Sequence, residues 1–184
     1  MSDVLPNVLS TLEPIAAGVI ANHAVQTDTE GRFPQHTVDA LANAGLMGLV
    51  TPTEHGGLGG TPGDAARVVE RIAKECGSSA MVICMHYAGA FVLANHGDAK
   101  VNQQIASGKH LSTLAFSEAG SRSHFWAPLS TATSHDLGIQ LDASKSWVTS
   151  ANHATAYVWS SQPVDAEAPS TIWLVPADSA GLQP

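Results

Sequence analysis

KVNQQIASGKHLSTLAF, residues 100–116, contains the change of period on which the fold turns. Lys100 to Ser107 continues the three- and four-residue apolar spacing of the chain before it and predicts a helix. Leu111 to Phe116 is a short apolar run with the composition of a strand. Gly108 lies between them, so the sequence places a domain boundary there, with residues 1–108 helical and 109–184 a β domain.

Upstream, the helical period is sustained. Leu5, Val8, Leu12, Ile15 and Val19 fall on one face. Pro14 must begin or kink that helix, and Ser10 with Glu13 stands in capping-box spacing, so a helix restarting at Pro14 is expected. A second helix follows Phe33 and Pro34, burying Val38, Leu41 and Ala42 and ending near Gly45. VTPTEHGGLGG, residues 50–60, has four glycines in five positions. It follows a helix and lacks the G-x-G-x-x-G spacing of a dinucleotide loop, so it reads as a structural turn. Pro62 to Cys76 is helical, with Ala65, Val68, Val69, Ile72 and Ala73 on one side. Cys76 to Gly97 has no Asp, Glu, Lys or Arg over the length of a membrane span, but His86, Tyr87, Asn95 and His96 break it with polar groups. A helix buried within a helical domain is the expectation, with no membrane span.

Downstream, further strands are predicted at Ser146 to Thr149, Tyr157 to Ser160 and Thr171 to Val175. Turn-forming clusters at Ala119 to Ser123, Ser134 to Gly138 and Gln162 to Ser170 separate them, as in an antiparallel sheet. Helices followed by strands without alternation exclude a Rossmann arrangement and indicate an α+β fold. About four strands are too few for a closed barrel or sandwich, so the β domain is expected to be incomplete, with an open edge that invites a partner.

The bulk composition narrows the function. With 44% hydrophobic residues in 184, the chain can bury a core in each domain. Eight basic against sixteen acidic residues, a net charge of -8, disfavour nucleic acid and anionic membrane surfaces as partners. Nine histidines occur without the i, i+4 spacing of a zinc site, so no metal is expected. The two cysteines, Cys76 and Cys84, form no CxxC motif and suit a reducing compartment. The first eight residues lack the basic start of a secretory signal, so a cytoplasmic location is expected.

Five segments in order resemble the acyl-CoA dehydrogenase family across essentially the whole chain. GRFP at 31–34, LANAGLMGLVTP at 41–52 and EHGGLG at 54–59 are similar to that family's first helical domain. LAFSEAGSRS at 114–123 resembles its flavin strand and turn, and SKSWVTSA at 144–151 the strand beside its isoalloxazine ring. Each segment alone is also an ordinary strand or turn; their order carries the resemblance. It implies an N-terminal all-helical domain followed by an incomplete antiparallel β-barrel or sandwich domain, with FAD as cofactor. The residues implied to hold FAD are Leu114, Phe116, Ser117, Gly120, Ser123, Trp147, Val148 and Thr149; those implied to touch the acyl-CoA are Ser123 and Met85.

The residue types suit that role. A strand backbone at Phe116 and Ser117 can pair with the polar edge of a flavin, and the turn from Gly120 to Ser123 can turn N–H groups towards a pyrophosphate. Trp147 offers a flat apolar surface, and in a strand the Thr149 hydroxyl would fall on the same side, within reach of flavin N5. Met81, Met85, Tyr87 and Ala88 are candidates for an acyl-chain wall, and Phe125-Trp126-Ala127-Pro128 for an aromatic pocket lining. In all of these, plain core packing is the competing reading. Three positions depart from the family: Ala119 replaces a usual Pro, Arg122 a usual Gly, and His124 a common Asp. Arg122 would strain a positive-φ position or pair with a phosphate.

The resemblance implies α,β-dehydrogenation of an acyl-CoA thioester, with the catalytic Glu in a C-terminal helical domain that this sequence is expected to lack. Glu118 is not a substitute, since it lies in the flavin turn. The chain alone is therefore expected to be inactive, with a complementary C-terminal half or oligomer, and an electron-transfer protein or oxygen as acceptor. Two alternatives stay open: a flavin monooxygenase of the same fold, and a non-catalytic binding or assembly subunit.

Overall fold

The computed structural model describes residues 2–121, 124–136, 138–165 and 167–184. The chain divides into two compact units, Met1–Ser112 and Thr113–Pro184.

The first unit is helical. Helix α1 (Leu5–Pro14) runs into a π-helical stretch (Ile15–Ile20) and then α2 (Ala21–Thr29). The helix does not restart at Pro14 as the sequence suggested. Proline has no N–H to donate to the carbonyl of Ser10, and the backbone absorbs the missing bond by widening into a π turn, so the rod continues. Nor does Glu13 cap anything; it pairs with Arg71 at 2.7 Å. One face, including Leu12, Ala16 and Ile20, stays buried throughout. Helix α3 (Gln35–Asn43) ends at Gly45, whose φ of 71° is the left-handed stop expected there.

Helix α4 (Pro62–Ala73) opens with a reciprocal capping box: the Thr61 hydroxyl accepts the Asp64 N–H, and the Asp64 carboxylate accepts the Thr61 N–H at 2.8 Å. It packs on α5 (Gly77–His96), which is followed by α6 (Ala99–Ala106). Helix α5 and the run Leu5–Thr29 are long and apolar enough to cross a membrane. Both instead give buried faces to the unit's core. At the middle of α5, His86 and Tyr87 are fully enclosed and bond to the carbonyls of Met47 at 3.0 Å and Leu46 at 2.9 Å.

Among the described residues the second unit shows five strands, including a hairpin that the sequence did not suggest. Strands β1 (Ser112–Ala115), β4 (Ala156–Ser161) and β5 (Thr171–Pro176) form a sheet in the order β1-β4-β5. Strands β4 and β5 are antiparallel, with Trp159 opposite Trp173 and Tyr157 opposite Val175. Strands β2 (Thr131–His135) and β3 (Gly138–Asp142) form a separate antiparallel hairpin. Its strands are short and mostly exposed: β2 has only Ala132 among polar residues, and in β3 the alternation is limited to Ile139 and Leu141. Ala115, Ala154, Tyr157 and Trp159 form the buried core, with Leu141, Val148, Trp173, Val175 and Leu182 packed around it. Among the described residues the strands do not close a barrel.

Ser146 to Thr149 is not a strand. Trp147 has φ 57° and Ser150 φ 63°, both in the left-handed region, so the segment loops instead of extending. The reason is tertiary: Lys145 is drawn into the interior by a carboxylate, and the backbone after it must turn to reach its next attachment.

Candidate functional site

Two of the segments singled out in the sequence meet in the second unit. Glu118 and Lys145 form an isolated antiparallel bridge, and Ser146 N–H donates to the Ser117 carbonyl at 2.9 Å. Phe116 and Ser117 are thus set beside the loop that begins at Lys145 and carries Trp147, Val148 and Thr149. The far end of that loop is also tied. The Thr113 hydroxyl on β1 donates to the Thr149 carbonyl at 2.6 Å, and the Tyr157 hydroxyl on β4 donates to the Ala151 carbonyl. Between these anchors the Trp147 side chain is 93% exposed.

A buried ion pair joins the segments. The Lys145 ammonium lies 2.6 Å from the Glu118 carboxylate, with both side chains almost wholly buried. Glu118 also accepts the N–H groups of Leu129 at 2.5 Å and Ser130 at 3.2 Å. Lys145 donates to the Ser160 carbonyl on β4 at 2.6 Å, and its ammonium lies 5.0 Å from the centre of the Trp159 ring. Burial pushes the Glu118 carboxyl up, but hydrogen bonds from Lys145, Ser130 and Leu129 outweigh it and hold it below its ordinary value. Glu118 is therefore an ionised structural anchor with its acceptor sites occupied, not a free base.

Of the residues with an implied cofactor role, Leu114 is half-buried in β1, and Phe116 and Ser117 are half-buried just beyond it. Gly120 has φ 92° in the turn that follows. The neighbouring Ser121 N–H and hydroxyl both reach back to the Glu118 carbonyl at 3.2 Å, so they close the turn. Arg122 and Ser123 lie outside the described residues. Val148 and Thr149 are half-buried in the loop. The two-residue alternation that would place the Trp147 indole and Thr149 hydroxyl on one side applies only to a strand, and this segment is not one. Phe116, Phe125 and Trp126 form a chain of ring contacts at 5.6 and 5.0 Å, and His124 stacks on Trp126 at 4.6 Å. Phe125 and Trp126 are about half exposed, at 44% and 51%.

Met85 belongs to the first unit. On α5 it is half-buried, one turn from the exposed Met81 and one from Ala88. Tyr87 points the other way, into the core, so it is not part of an acyl-chain wall on that face. The glycine-rich loop is a structural turn. The N–H groups of Gly57, Leu58, Gly59 and Gly60 donate to the carbonyls of Pro52, Gly48, Thr51 and Leu49, leaving none of these four amides for a phosphate.

The Glu118–Lys145 pair escaped the sequence reading. A signal was present: Lys145 is the only Asp, Glu, Lys or Arg between Asp142 and Asp165, and a lone charge in a core-forming stretch needs a partner.

The arrangement suits a flat heteroaromatic group. Trp147 offers a ring face unencumbered by the protein, Phe116 and Ser117 lie beside its loop, and Ser150 Oγ is buried nearby in sequence with no partner among the described residues.

The profile of the acyl-CoA dehydrogenase N-terminal domain matches residues 7–108. A probable acyl-CoA dehydrogenase of Bacillus subtilis strain 168, YngJ, is 28% identical over 183 residues, covering 95% of this chain and 48% of that protein. Butyryl-CoA dehydrogenase from Megasphaera elsdenii has the same fold, with a TM-score of 0.82 at 20% identity over 98% of this chain and 50% of the other. The nitrososynthase of Micromonospora carbonacea var. africana superposes with a TM-score of 0.77 at 25% identity, over 98% of this chain and 48% of the other. The chain thus spans about half the length of these relatives. A profile match over more than half its residues, in the helical unit where the early motifs lie, shows that the chain belongs to the acyl-CoA dehydrogenase family.

Proposed function

We propose that this chain is the FAD-holding part of an acyl-CoA dehydrogenase that introduces an α,β double bond into an acyl-CoA thioester. The observation that carries the reading is the bridge at Glu118 and Lys145, which sets Phe116 and Ser117 beside an anchored loop whose Trp147 is 93% exposed. When bound, FAD supplies the hydride acceptor for the β hydrogen. The chain's residues bind and orient. Phe116 and Ser117 offer backbone groups to the polar edge of the ring system, and Trp147 covers one of its faces. Met85, with Met81 and Ala88 on α5, gives the first unit a flexible apolar surface suited to an acyl chain. Glu118 takes no proton, so the α proton leaves to a base other than this carboxylate. The reading includes a cytoplasmic setting, an assembly that brings further chain to the site, and an electron-transfer protein as acceptor.

The test is the visible absorption of the purified chain after mixing with FAD and desalting. Retained flavin with a shifted band, lost in Trp147→Ala, is expected. A colourless native protein, whether alone or with a complementary C-terminal half, would refute the reading.

The likeness to the nitrososynthase, a name that implies oxygen transfer to nitrogen, favours a second reading. In it the same site holds a flavin that reacts with oxygen. Anaerobic bleaching of the bound flavin by an acyl-CoA supports the dehydrogenase; bleaching only by a reduced nicotinamide supports the alternative.

A further inference from the structure

We infer that Glu118 and Lys145 are positioning residues for the cofactor site: their ion pair holds the Lys145–Ala151 loop against Phe116 and Ser117, and FAD affinity depends on that hold. The inference rests on the proposed flavin reading and adds to it the device that shapes the site.

Four segments converge on the pair. Glu118 follows β1, Leu129 and Ser130 precede β2, Lys145 follows β3, and Ser160 lies in β4. Ser130 Oγ donates to the same Ser160 carbonyl at 2.8 Å that Lys145 uses, closing the cluster. A buried ion pair is a weak source of stability, because both charges lose their water, and an apolar pair of similar volume often serves as well. What it supplies here is direction. The carboxylate has donors on two sides, and the ammonium is pinned between it and a strand carbonyl, so the position of the Lys145 backbone is set. Immediately beyond, Trp147 and Ser150 adopt left-handed backbone angles that L-residues seldom occupy. Such conformations persist where the surroundings over-determine them. The anchors available are Lys145 and Ser146 at one end and the carbonyls of Thr149 and Ala151 at the other. Removing the Lys145 anchor leaves the end nearest Trp147 held by the Ser146 N–H bond to the Ser117 carbonyl alone.

The experiment compares native protein with Lys145→Met, Glu118→Gln and Lys145→Arg. Two readouts are taken: amide hydrogen exchange of residues 146–151 without cofactor, and FAD affinity with the visible circular dichroism of the bound flavin. Near-UV circular dichroism checks that the second unit is folded. Lys145→Met is expected to raise exchange in the loop and weaken FAD binding by about tenfold or more, the scale of a lost charge-assisted hydrogen bond. Glu118→Gln follows in the same direction, and Lys145→Arg, which keeps the charge, recovers part of the affinity. If Lys145→Met leaves loop exchange unchanged, or binds FAD with native affinity and dichroism, the inference is overturned. If Lys145→Met unfolds the unit, the same criteria apply to Glu118→Gln, which keeps the side chain's shape and one of its two acceptor oxygens. Native protein that binds no FAD refutes the flavin reading and the cofactor half of this inference. Loop exchange in the apo-protein still decides separately whether the pair positions the loop.

Discussion

Mild acid should destabilise the helical unit through two buried histidines. His86 is completely enclosed; its Nε2–H donates to the Met47 carbonyl at 3.0 Å, and its Nδ1 accepts the Ser112 N–H at 3.1 Å. Both ring nitrogens are committed in the neutral form, and burial lowers its pKa to about 4. His110 is 3% exposed, its Nε2 has no partner among the described residues, and burial lowers it to about 4 as well. The unfolded chain holds histidine near its ordinary value of about 6.5, so between pH 6.5 and 4 the unfolded state binds more protons than the folded one. Stability is therefore complete above about pH 6.5 and falls as pH drops towards 4. Between pH 7 and pH 5 each histidine contributes a loss of about 2 kcal/mol, about 4 kcal/mol for both. Urea unfolding followed by circular dichroism at 222 nm, where the helices dominate, reads this directly. His110→Leu is the decisive variant, since Nε2 has no hydrogen bond to lose among the described residues. It should match the native protein or exceed it at pH 7, and lose about half of the acid sensitivity between pH 7 and 5. If His110→Leu and native protein lose the same free energy over that range, the burial argument is wrong.

Gly57→Ala should destabilise the chain strongly. A Cβ there would lie 2.2 Å from the Thr51 carbonyl oxygen and 2.6 Å from its carbonyl carbon, backbone atoms that cannot swing aside as a flexible side chain would; a loss of about 1–3 kcal/mol in urea unfolding is expected. Asp64→Ala removes the capping box of α4 and the bonds from Ser2, at a cost of about 1–2 kcal/mol at pH 7. Hydrogen bonds from Ser2 and Thr61 hold the Asp64 carboxyl well below its ordinary value despite burial, so its contribution is present above about pH 4 and lost in stronger acid. Asp64→Ala should therefore show less acid sensitivity than native protein below pH 4. Trp147→Gly should separate binding from stability. With its side chain 93% exposed and φ at 57°, replacement by glycine relieves about 1 kcal/mol of backbone strain, leaving the thermal midpoint level or raised while FAD retention falls. A lowered midpoint would show that Trp147 is packed in solution.

The order of helices followed by strands, the turn at residues 50–60 and the buried character of Cys76 to Gly97 were legible in the sequence because each rests on local chemistry. Apolar period, glycine content and the absence of charge depend on near neighbours in the chain. The same holds for the family resemblance, since ordered motifs are a property of the chain itself. Tertiary structure decided three other matters. Pro14 sits within a continuing helical rod, because packing of Leu12, Ala16 and Ile20 favours a π turn over a break. The β2–β3 hairpin has few apolar side chains, and one of them, Leu141, packs against the core of Ala115, Ala154, Tyr157 and Trp159, a contact that exists only in the folded chain. Trp147 to Thr149 has strand composition but is bent out of the extended form, because Lys145 finds its charge partner 27 residues away in Glu118. A propensity of a few tenths of a kcal/mol per residue cannot hold a strand against a buried charge that must be paired, and that pairing exists only once the chain has folded.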